Sequence, residues 1–136
     1  MTPKIVVFDT SVLIDHLRTG KYRNNFWKLN AVVRNSSVVL SELLRGATRK
    51  EEADFVKELA ENHPVFTPTE KNWFESGNIL YAINKDMGFQ PEKLKDLHFD
   101  ILIALTARNY GATLITSDKT DFKLISRYKN FDYEIW

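Results

Sequence analysis

The chain of 136 residues contains no cysteine. That excludes disulfides, zinc–thiolate sites and cysteine nucleophiles, and it agrees with an expected cytoplasmic location. Proline and glycine are scarce, at four and five residues, and no repeat, linker or low-complexity stretch interrupts the chain. No apolar run is long enough for a membrane span: the most apolar segment, near 99–107, carries Asp100 and meets Arg108. The apolar start is cut by Asp9, which argues against a signal peptide. Excess charge is absent too. The formal net charge is +1, so overall basicity gives no support to nucleic-acid binding, and any such role must rest on local sites.

What is present is a well-supplied core. Apolar residues make up 43% of the chain, and its length suits one domain, residues 1–136. Five β-branched apolar runs read as strands: KIVVF (4–8), SSVVLS (36–41), PVFTP (64–68), ATLITS (112–117) and FDYEIW (131–136). Helical spacing is expected over 10–18, 21–34, 41–47, 49–62, 70–87, 92–110 and 121–129, with Ser41 capping the third, Gly20 ending the first and Gly111 ending the sixth. Strands alternating with helices predict an α/β fold of three layers, α/β/α, around a mainly parallel sheet of about five strands.

Carboxylates sit where such a sheet places its sites, at the carboxyl ends of strands. Asp9 ends the first run, Glu42 follows the second in the expected first turn of a helix, and Asp118 follows the fourth with Asp121 three residues on. Singly, each has an ordinary reading as a helix cap or a partner of the helix dipole. Asp100 resists that reading, because its neighbours in LHFDILIALTA are nearly all apolar. A buried carboxylate costs several kcal/mol unless it is paired or metal-bound. Its candidate cationic partners are His98, Arg108 and Arg45. Several acids converging without basic partners would repel one another, and a divalent cation resolves this. Oxygen-only ligands favour Mg²⁺ or Mn²⁺. The chemistry such a centre serves is hydrolysis of a phosphodiester.

Three blocks carry a family resemblance: VFDTSVLID at the start, SELLRG at 41–46 and FDILIALTARNYGATLITSDKTDF at 99–122. With them the chain resembles a PIN-domain ribonuclease, and within that group a VapC-type toxin of a toxin–antitoxin pair. The resemblance implies four catalytic acids, Asp9, Glu42, Asp100 and Asp118. It implies Asp9, Asp100 and Asp118 as metal ligands, and Glu42 acting through water. Asp121 matches an additional acid at the rim of the site and Thr116 a hydroxyl near the carboxylates, while Ser11 is placed to bond Asp9 or its water. It further implies an RNA substrate, transfer RNA for several members, a small VapB-like antitoxin lying in an apolar groove, and a homodimer. Arg45 and Lys119 flank the acids as candidate phosphate contacts. In the same way Trp27, Trp73 and Phe74 are candidates for a partner surface, with core packing as the alternative. Other readings are a PIN nuclease outside any toxin–antitoxin pair, a catalytically silent PIN-like module, and a receiver-like phosphoacceptor domain. The last lacks an acid after PVFTP.

Overall fold

The computed structural model describes residues 3–136. Its central sheet has five strands, all parallel: β1 (Ile5–Phe8), β2 (Val32–Ser36), β3 (Val65–Phe66), β4 (Thr113–Thr116) and β5 (Tyr133–Ile135), in spatial order β3-β2-β1-β4-β5. Seven helices connect them: α1 (Thr10–Thr19), α2 (Arg23–Lys28), α3 (Ser37–Gly46), α4 (Lys50–Asn62), α5 (Glu70–Met87), α6 (Pro91–Asn109) and α7 (Lys119–Ser126). The chain runs outward from β1 in both directions, and right-handed crossovers then place helices on opposite faces of the sheet. This is the α/β architecture expected from the sequence.

β1 and β4 are buried because both their faces are covered, so they read as unbroken apolar runs. Val6, Val7, Leu114 and Ile115 are fully buried, as are Ile101 and Ile103 of α6, and together they hold the centre of the core. Gly20 ends α1 at φ +68°, a left-handed conformation that a β-carbon would strain.

Two expectations need correction. SSVVLS is not a strand: Ser36 is the last residue of β2, and α3 begins at Ser37. The Ser36 hydroxyl accepts from the Val39 N–H and caps α3, so the cap lies five residues before Ser41. Val38, Val39 and Leu43 then fall on one buried helical face. The true second strand begins upstream, at the end of the region 21–34 expected to be one long helix, of which only Arg23–Lys28 is helical. It escapes notice because Arg34 and Asn35 interrupt its apolar pattern. Asn35 is buried, and its amide donates to the carbonyls of Leu59 and His63 at 2.6 and 3.1 Å.

Candidate active site

β1 and β4 are neighbours at the point where the strand order reverses, and the crevice beyond their carboxyl ends is the place where such sheets bind ligands. Asp9 emerges there, its N–H donating to the Ile115 carbonyl at 2.8 Å, which extends the β1–β4 ladder by one step. Its buried carboxylate is held by hydroxyls. Ser11 Oγ donates to Asp9 Oδ2 at 2.9 Å and Thr116 Oγ1 donates to the same oxygen at 2.8 Å. Thr116 is fully buried and also accepts from the Asp118 N–H at 2.9 Å. One side chain thus ties the end of β1 to the turn after β4. Burial raises the Asp9 pKa above the ordinary carboxylate range, and the hydrogen bonds from Thr116 and Ser11 oppose that rise.

Asp118 is the N-cap of α7, its Oδ1 accepting from the Asp121 N–H at 3.1 Å. Asp100 comes from α6. Oxygens of Asp100, Asp118 and Asp121 all lie within 4.8 Å of one another. Asp121 is therefore part of the central trio rather than an acid of the rim. It is also the one member with a cationic partner: Lys93 Nζ lies 2.6 Å from its Oδ1.

Asp100 has no such partner among the described residues. His98 Nε2 is 3.0 Å from Ser76 Oγ and faces α5, where Trp73 meets its ring edge-on. Arg108 donates to the Asn130 carbonyl. Arg45 lies over the Phe99 ring and 3.9 Å from Glu42. The candidate salt bridges of Asp100 are therefore not made. Burial first, and the charges of Asp9, Asp121, Glu42 and Asp118 after it, push the Asp100 pKa up to about 9. Burial likewise raises Asp118.

Glu42 is the sixth residue of α3 and not in its first turn, because α3 starts early. Its Oε1 accepts from Thr10 Oγ1 at 2.9 Å, which fixes the carboxylate across the gap between α1 and α3. Burial raises its pKa, against the hydrogen bond from Thr10. Lys119 is exposed at the start of α7, directly after Asp118, and Arg45 is exposed beside Glu42. Asp100, Asp118 and Asp121 thus come within ligand distance of one another, while Asp9 and Glu42 lie outside that trio but near enough for their charges to act on Asp100.

Two contributors have no signal in composition. Thr10 reads as a helix-start residue, and its bond to Glu42 depends on how α1 packs on α3. Lys93 could have been found by spacing, since it precedes Asp100 by seven residues, which on a helix is the same side two turns away.

The aromatic candidates divide. Phe26 packs against Phe8 and Trp136, with ring centroids at 4.8 and 5.3 Å. Trp27 next to it is 90% exposed, and Trp73 and Phe74 are exposed on α5. Among the described residues no helix is long and apolar enough to cross a membrane.

The PIN domain family model matches residues 6–128. Among solved structures, VapBC2 from Rickettsia felis bound to a DNA fragment from its promoter is similar, at 25% identity over 97% of this chain and 98% of that one, with a TM-score of 0.70. VapBC-1 from nontypeable Haemophilus influenzae is 20% identical over 97% and 98% of the two chains, with a TM-score of 0.69. VapBC-5 from Mycobacterium tuberculosis, a member of the VapBC family of toxin–antitoxin systems, is 20% identical over 98% of both chains, with a TM-score of 0.59. Comparison with curated proteins finds no match.

Proposed function

The chain belongs to the PIN domain family, and from that premise we propose that it is a VapC-like toxin, an endoribonuclease whose acidic centre holds Mg²⁺ or Mn²⁺. The observation that carries this reading is Asp100: a half-buried carboxylate with no cationic partner among the described residues, set against two further aspartates within ligand distance. A protein that wanted only stability would have an asparagine or an apolar residue there. The donor set is oxygen only, which fits a hard divalent cation.

Asp100 and Asp118 would hold the ion, with Asp9 beside them and Asp121 in reach. The ion, when bound, lowers the pKa of water and neutralises charge on a phosphoryl group under attack. The protein's own groups do the rest. Thr116 and Ser11 both donate to Oδ2 of Asp9 and hold that carboxylate in place. Glu42, held by Thr10 and with its pKa raised by burial, would take the proton from the attacking water as the water oxygen bonds to phosphorus and the ester P–O bond breaks, and the leaving oxygen would take up a proton from solvent. Arg45 and Lys119 border the acids and would pair with flanking phosphates.

The partner reading rests on the Rickettsia VapBC2 likeness over nearly the whole chain and on the exposed Trp27, Trp73 and Phe74. It makes a small VapB-like antitoxin the partner and a homodimer the expected assembly. The RNA is not specified by any feature of the site; transfer RNA is the first substrate to try. Incubation of a mixed RNA pool with purified protein tests the activity, with Mg²⁺ or Mn²⁺ and with EDTA, beside Asp100→Asn. Cutting that needs the ion and is lost in the variant is the expected result. Equal cutting by both proteins contradicts it.

A further inference from the structure

Lys93 stands in the first turn of α6, on the same side of the helix as Asp100. Its ammonium crosses to α7 and donates to Asp121 Oδ1 at 2.6 Å. That carboxylate is nearly buried, and its residue is already tied to Asp118 through the Asp121 N–H. Among the described residues, Lys93 is the one cation that contacts the trio of Asp100, Asp118 and Asp121. The same carboxylate is therefore both a candidate metal ligand and the acceptor of an ammonium.

We infer that Lys93 is the resident counter-cation of the acidic centre: it occupies Asp121 and sets how tightly a divalent cation can be held by Asp100 and Asp118. Two consequences follow from charge alone. Without a bound ion, the ammonium relieves the repulsion among carboxylates crowded at the end of the sheet. With an ion present, ammonium and metal share a few ångströms of partly buried space and repel each other, so Lys93 holds the metal affinity down. The lysine stem is flexible and its head half-exposed, so it can yield space without unfolding α6. Asp121 is then the tether of Lys93, a positioning residue rather than an obligatory metal ligand. An ordinary surface ion pair, by contrast, would leave metal binding untouched.

This inference rests on the metal-centre reading, and calorimetric titration of Mn²⁺ into the full chain separates the two. Lys93→Met is expected to bind Mn²⁺ about tenfold more tightly or better than the wild type. Lys93→Arg keeps the charge and is expected to stay within about twofold of the wild type. In EDTA the methionine variant melts below the wild type, and saturating Mn²⁺ closes the gap. An unchanged or weaker Mn²⁺ affinity in folded Lys93→Met overturns the inference and leaves the metal centre standing. A wild type that binds no Mn²⁺ overturns both. Lys93→Gln, polar and nearly as long, is held to the same criteria if the methionine variant does not fold.

Discussion

Exchanging Asp100 for asparagine should stabilise the metal-free protein while removing its activity. The native carboxyl is pushed up to about 9, chiefly by burial, from its ordinary 3.8. Between those values the folded state keeps a proton that the unfolded chain releases. The unfolded state therefore binds fewer protons, and the stability of the wild type falls as pH rises through this window. At about 1.4 kcal/mol per unit, the cost reaches roughly 4 kcal/mol at pH 7 as an upper bound. Relaxation and water entry reduce it, and a gain of about 1–2 kcal/mol for Asp100→Asn at pH 7 is expected, or roughly 3–8 °C in Tm. Asparagine has nearly the same shape and no charge to desolvate. Urea denaturation in EDTA, followed by fluorescence of the three tryptophans, measures it at pH 5 and pH 8. The advantage of the variant should grow from the lower pH to the higher. A residual slope should persist, because burial also raises Asp9, Glu42 and Asp118. A variant that is less stable than the wild type at both pH values, or that keeps the full slope, would refute the reasoning.

Thr116→Val should be destabilised by about 2–4 kcal/mol, since it removes the donor to buried Asp9 and the acceptor of the Asp118 N–H together; urea midpoints report this. Arg45→Ala should leave the fold unchanged and reduce the salt dependence of RNA binding by about one ion equivalent, read from the slope of log K against log salt in a non-cleaving background. Mg²⁺ at a hundred times its Kd should raise the stability of the wild type by about 2.7 kcal/mol and that of Asp100→Asn by much less, which thermal melts with and without EDTA would show.

The parts of the site that lie on fully covered elements were the legible ones. β1, β4 and the core of α6 are unbroken apolar runs, so an acid at the end of each, or within one, stands out as Asp9, Asp118 and Asp100 do. The second strand was hidden because its burial is satisfied by hydrogen bonds. Asn35 is paired to the end of α4, and no hydropathy pattern records that. SSVVLS misled for the converse reason: its β-branched residues suit a strand, but a serine cap and helical burial overrode propensity. Glu42 was found on the right element with the wrong start. The ties that set the geometry of the site, Thr10 to Glu42 and Lys93 to Asp121, join residues 32 and 28 positions apart and arise only when helices pack.

The central claim is that these carboxylates gather to hold a divalent cation. Anomalous diffraction from crystals soaked in Mn²⁺ addresses it most directly. A single strong peak bounded by Asp100 and Asp118, at about 2.0–2.3 Å from their oxygens, is the result this account requires. A trio of aspartates with no peak between them, or Mn²⁺ bound only elsewhere on the surface, would contradict it.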